Sequence, residues 1–253
     1  MHGRQLPRHD LVEAHTSVAI RERLEMGPRR SYLRDFVYGA IDGTVTTFAV
    51  VAGVAGAGLA PAVALILGVG NLVADGFSMA VSNFLGTRSE EQRRLRVRRE
   101  EERHVAEVPD GEREEVRQIL SERGFTGDAL DQAVEVVTSD HEMWVDFMLR
   151  EEHGFAVGEH SPLRAAAATF SAFVVVGLVP LAVFIVDALP GVDVAGAFRL
   201  SAISTGVAFF GVGFMKGRVV EEPWWRSGLE VLAVGGAAAL LAFLAGAALG
   251  GLA

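Results

Sequence analysis

The chain has 253 residues, half of them apolar, yet 22% are charged and the formal net charge is −9. A mean hydropathy of +0.31 alongside that much charge means the two characters are segregated along the chain. Zero cysteines exclude disulfides, zinc–thiolate sites, iron–sulfur clusters and a thiol nucleophile, and the acidic balance argues against a nucleic-acid binder.

The first 35 residues are polar and hold seven arginines. Arg29 and Arg30 before Ser31 read as the cytoplasmic anchor of a following helix rather than a twin-arginine export signal. The apolar stretch that follows is long and contains Asp42, unlike a signal peptide, so no cleavable signal is expected. Five segments then qualify as membrane spans: 36–59, 61–86, 165–189, 195–215 and 229–253. Each supplies the roughly 20 residues that cross a bilayer as a helix, and lipid forces their backbones to be helical. The expected fold is an all-α membrane protein with five transmembrane helices. A cytoplasmic three-helix domain at 87–164 separates helices 1–2 (36–86) from helices 3–5 (165–253).

Arginine placement orients the spans. Twelve arginines lie in 87–164, and Lys216 (the only lysine), Arg218 and Arg226 lie in the turn after span four, whereas the opposite ends are nearly devoid of positive charge. The positive-inside rule predicts a cytoplasmic N-terminus, a cytoplasmic insert and an external C-terminus. Three glycine pairs, Gly39/Gly43, Gly213/Gly217 and Gly246/Gly250, have the small-xxx-small spacing that lets helices approach closely.

The insert carries 20 of the 32 acidic residues and four of the seven histidines. No breaker follows Gly86 until Pro109, so helix two is predicted to continue to about Glu107. A turn at Pro109–Gly111, a helix over 112–123 ended by Gly124, and a long helix from a capping Asp128 to about Glu152 complete the reading. Glu101 and His104 share one helical face, and Glu112 and Glu115 repeat that spacing on the next helix. A short connection brings the two pairs together. Glu-x-x-His and Glu-x-x-Glu present ligands this way in di-iron carboxylate bundles. The competing reading is a solvated, salt-bridged face.

Asp42 and Asp75 fall inside spans one and two, where a carboxylate costs at least ~2.5 kcal/mol unless it faces a partner or a pathway. Asn71, Asp75, Met79 and Asn83 recur every fourth residue on one face of span two. Acid, amide and thioether on one stripe suit a transition-metal path. Interhelical hydrogen bonds for the asparagines and Asp75, and packing for Met79, explain the same residues. Asp187 and Asp193 read as solvated loop charges near the outer surface.

Several of these segments are similar to the vacuolar iron transporter family in its prokaryotic form. RDFVYGAIDG at 34–43 resembles the start of its first helix, and ADGFSMA at 74–80 followed by TRSE at 87–90 resembles its second-helix signature. VPD at 108–110 with Glu112 and Glu115, then WVDFM at 144–148, resembles its metal-binding domain, and GLVP at 177–180 its third helix. The resemblance runs through about residues 31–250 in order. It implies a homodimeric carrier in a lipid bilayer, moving iron(II) and often manganese(II) out of the cytosol against protons. The ion is then cargo, with no prosthetic group, and the pathway lies between protomers. It implies that Asp42 and Met79 are translocation ligands, with Asp75 and Asn71 beside them. Glu101, His104, Glu112, Glu115, Met148 and Glu152 then fall on the cytoplasmic metal cluster. Three positions depart from the plant pattern: His104 and Asn71 replace glutamates, and Leu149 replaces a second methionine. The implied location is a cell (inner) membrane, and the implied function is not enzymatic. The alternatives are a membrane-anchored di-iron ferroxidase built on Glu101/His104 and Glu112/Glu115, and a metal sensor.

Overall fold

The computed structural model describes residues 8–26, 32–155 and 161–252. Arg29, Arg30 and Ser31 lie outside the described residues. The described residues are helical throughout: α1 (Arg8–Ala14), α2 (Ser17–Met26), α3 (Leu33–Gly56), α4 (Pro61–Glu107), α5 (Pro109–Glu122), α6 (Gly127–Thr138), α7 (His141–Glu151), α8 (Pro162–Gly177), α9 (Val179–Asp187), α10 (Ala197–Val219) and α11 (Trp224–Leu249), with a final 3₁₀ turn at Gly250–Leu252. They form two compact units, residues 1–85 with 162–253 and residues 86–161.

In the first unit, α3, α4, α10 and α11 are each long and apolar enough to cross a membrane, and the α8–α9 pair adds a fifth span that bends by 48°. The chain is a multi-pass integral membrane protein. The bend corrects the expectation of one straight helix over 165–189. Pro180 has no N–H to offer the Val176 carbonyl, and its ring crowds the preceding turn. At the same bend the Pro180 carbonyl accepts a hydrogen bond from Ser201 Oγ of α10 at 2.6 Å. Asp187, expected as a solvated charge, accepts from the Val194 N–H at 2.7 Å and closes the loop after α9.

Helix α3 lies at the centre of this unit, packed by α8, α10 and α11. All three glycine pairs serve contacts within the chain. A Cβ at Gly39 or Gly43 would collide with the Thr169 or Phe173 carbonyl of α8, and one at Gly246 with the Gly53 carbonyl of α3. One at Gly213 would collide with the Ser227 carbonyl of α11. The apolar core joins Val51, Val54, Leu72, Phe173, Leu181 and Phe184. Helix α4 touches it through side chains, Leu72 meeting Gly177 and Leu181 meeting Gly68. Its remaining face exposes Ile66, Leu67, Val73, Phe77 and Leu85.

The second unit contains the end of α4 with α5, α6 and α7. Its core is Val97, Val105, Val116, Leu120, Val134, Trp144, Val145, Met148, Leu149 and Phe155. Two boundaries differ from the sequence expectation. Pro109–Gly111 is the first turn of α5, not a separate turn, since proline is preorganised for the first helical position. The helix expected over 128–152 is two helices, because Asp140 turns its carboxylate onto the Met143 N–H at 2.8 Å and caps a new start.

Candidate metal centre

In the second unit α4 delivers Glu101 and His104, three residues apart on one face, and α5 delivers Glu112. The core residues Val97, Val105 and Val116 lie one turn from Glu101 and Glu112, so the same packing that forms the core buries the two carboxylates. Glu101 is 3% exposed and Glu112 5%. His104 Nδ1 stands 3.4 Å from Glu112 Oε1 and 3.8 Å from Glu101 Oε1. Glu101 Oε2 and Glu112 Oε2 are buried without a hydrogen-bond partner. A buried carboxylate oxygen left unpaired is costly, and a cation among these groups would satisfy it.

A second group shares Glu101. Its Oε1 lies 3.0 Å from His153 Nε2, and His153 Nε2 lies 3.5 Å from Glu152 Oε2. The ligand atoms of Glu101, His104 and Glu112, and those of Glu101, Glu152 and His153, each fall within 4.8 Å of one another. Sequence reading named Glu101, His104, Glu112 and Glu152 but missed His153. The signal was present in Glu152-His153-Gly154, a donor pair followed by a helix-terminating glycine.

Burial pushes the Glu112 carboxyl up to about 7, reinforced by the charges of Glu101, Glu115 and Glu152 and opposed by His104. Glu152 is also raised, by burial first and by Glu101 and Glu115, against His153 and His104. Like charges held together this way favour protonation or a counter-cation. Glu115 is exposed on α5, near enough to act on both carboxylates but outside either ligand group. Met148 is fully buried within the apolar core of this unit. Around the site, Arg98 bonds Asp146 at 2.7 Å and Glu102 at 3.0 Å and ties α4 to α7.

The membrane-unit candidates are arranged differently. Asp42 and Asp75 are exposed on this chain, close enough for their charges to interact. Asn71 Nδ2 donates to Thr46 Oγ1 at 3.4 Å, and Thr46 Oγ1 donates to the Asp42 carbonyl at 2.8 Å. Asn83 Nδ2 donates to Asp35 Oδ1 at 3.0 Å and Thr169 Oγ1 at 2.7 Å, linking α4 to α3 and α8. Met79 packs against the core cluster of Leu72 and Phe173.

Comparison with known proteins covers the same residues. The family model described as the VIT family matches residues 33–247. The vacuolar iron transporter of Toxoplasma gondii is 32% identical over 224 residues, covering 86% of this chain and 74% of its own. Vacuolar iron transporter 1 of Arabidopsis thaliana is 29% identical over 214 residues, 83% of each chain. The vacuolar iron transporter of Plasmodium falciparum is 26% identical over 223 residues, 86% of this chain and 82% of its own.

Proposed function

The chain belongs to the VIT family, and we propose that it is a carrier that exports iron(II) and manganese(II) from the cytosol through a membrane in exchange for protons. The observation that carries this reading is the pair of buried, unpartnered carboxylate oxygens of Glu101 and Glu112 beside His104, in a chain whose relatives are named iron transporters. Carboxylate and imidazole donors suit iron(II), manganese(II) and zinc(II).

In this mechanism Glu101, His104, Glu112, Glu115 and Glu152 collect the cargo at the cytoplasmic face, with Met148 beneath them. The ion passes to Asp42 and Met79, with Asp75 and Asn71 alongside. Asp42 and Asp75 are exposed on the single protomer. Two carboxylates open to hydrocarbon are costly, which supports a homodimer whose second copy covers them and completes the path. Protons replace the ion on a carboxylate as it leaves. The arginine distribution supports a cytoplasmic N-terminus and an external C-terminus in the cell membrane.

The test is metal uptake into proteoliposomes with an acidic lumen and an internal pH dye, iron(II) and manganese(II) taken separately. Metal entry with lumenal alkalinisation, lost in Asp42→Ala protein that keeps its size-exclusion profile, is the expected result. Absence of flux from folded, metal-binding protein overturns the carrier. Oxygen consumption on adding iron(II) would then identify a ferroxidase.

A further inference from the structure

His153 has no counterpart among the ligands proposed above, yet the fold places it deliberately. Helix α7 ends at Glu151, and the His153 N–H bonds back to the Met148 carbonyl at 3.3 Å. Gly154 follows with φ +70°, a left-handed conformation that glycine adopts without penalty. The Phe155 N–H then reaches the Leu149 carbonyl, six residues back, at 2.9 Å and closes the end of α7. Phe155 is 8% exposed, belongs to the core and is covered by the Arg93 guanidinium 5.0 Å from its ring centre. The cap and its apolar plug hold the intervening imidazole against Glu101, its Nε2 3.0 Å from Oε1.

Two imidazoles therefore approach the same buried carboxylate, His104 from α4 and His153 from the end of α7. The other Glu101 oxygen is buried with no partner. We infer that His153 is a metal ligand through Nε2, and that with His104 it makes this cluster select nitrogen-preferring divalent ions, iron(II) and zinc(II), over manganese(II). This rests on the reading of the cluster as a metal centre but not on transport. The physical reason is the ordering of divalent affinities: manganese(II) gains least from replacing oxygen by imidazole nitrogen, while iron(II) and zinc(II) gain more. An all-carboxylate cluster would follow the same order with a smaller spread.

The experiment uses the full-length protein in detergent, with zinc(II) and manganese(II) as the probes. Affinities are measured by chelator competition, and bound manganese(II) is examined for nitrogen-14 modulation of its electron spin echo. In the wild type the expected result is imidazole nitrogen coupling, partly lost in His153→Gln and further lost when His104→Glu is added. The zinc-to-manganese preference should fall about tenfold in His153→Gln, chiefly through zinc. Free imidazole should restore it in His153→Ala, which guards against a folding defect. Unchanged nitrogen coupling in His153→Gln overturns the proposal. So does an equal loss of affinity for both ions, which would mean that His153 only orients Glu101. Proteoliposome flux separates the two readings. No flux with the nitrogen signal intact removes the carrier and keeps the ligand, and flux without a His153 signal does the opposite.

Discussion

The two units handle their carboxylates in opposite ways. In residues 86–161 Glu101 and Glu112 are withdrawn from solvent and grouped with two histidines. In the apolar unit Asp42 and Asp75 are exposed. The first arrangement is complete within one chain, because α4, α5 and the α7 cap supply every ligand atom. The second leaves two like charges exposed on helices that also expose apolar residues such as Val73 and Phe77. On the proposed reading, residues 86–161 can hold a cation as they stand, whereas the membrane pair needs a second copy around it before it can do the same.

The sharpest way to break this comparison is to remove one carboxylate from each side. Asp42→Ala should reduce uptake to the level of empty liposomes while leaving zinc binding at the Glu101 cluster unchanged, as read by uptake and by chelator competition. Loss of both properties would mean that the two sites are not separable.

Next in size is the packing that positions Asp42. Gly246 lies against the Gly53 carbonyl of α3, whereas a Cβ at Gly236 on the same helix meets nothing within 4 Å. Gly246→Ala should cost about 1–3 kcal/mol through overpacking, visible as a lower melting temperature in detergent. Gly236→Ala should leave it unchanged.

The cluster itself is sharpened by pH. Glu112 titrates near 7 in the folded protein, above an ordinary carboxylate. Between those values the folded state keeps a proton that the unfolded chain has lost. Stability of the ion-free protein should therefore fall as pH rises through that window and level off above about 7. Metal affinity should strengthen over the same window, since binding displaces the proton. Glu112→Gln should flatten both curves in melting and titration series.

The smallest expected effect is at Asn83, whose hydrogen bonds to Asp35 and Thr169 join three helices. Asn83→Ala should cost about 0.6 kcal/mol, the average for such bonds between membrane helices. Thermal unfolding of the detergent-solubilised protein reads this. A loss of several kcal/mol would mean that Asp35 and Thr169 are left partly buried and unsatisfied.

Much of the fold was legible because lipid leaves the backbone one solution. Runs of about 20 apolar residues had to be helices, and the long uninterrupted stretch after Gly86 had to carry α4 to Glu107. The spacing of Glu101 and His104 fixed their common face, and the short connection after Glu107 had to bring Glu112 beside them, although Pro109–Gly111 proved to be the first turn of α5 itself. Local chemistry that competes with helix continuation was harder to read. Asp140 divides α6 from α7 through one side-chain hydrogen bond, and Pro180 bends α8–α9 at a point where Ser201, distant in sequence, bonds its carbonyl. The glycine pairs announced close helix approaches, but which helices approach is a property of the packed bundle, and all three pairs face partners in the same chain.

Sequence alone determined the helical class, the number of apolar spans, the segregation of charge into one insert, and four of the five residues whose ligand atoms cluster. The tertiary structure decided the burial of Glu101 and Glu112, the exposure of Asp42 and Asp75, and the arrival of His153 at Glu101. Periodicity and composition are local quantities, set by the backbone within a few residues. Burial and convergence depend on which elements meet, and Glu101 and His153 are 52 residues apart. No local pattern encodes that distance; the shared core of Val97, Val116, Met148 and Phe155 closes it.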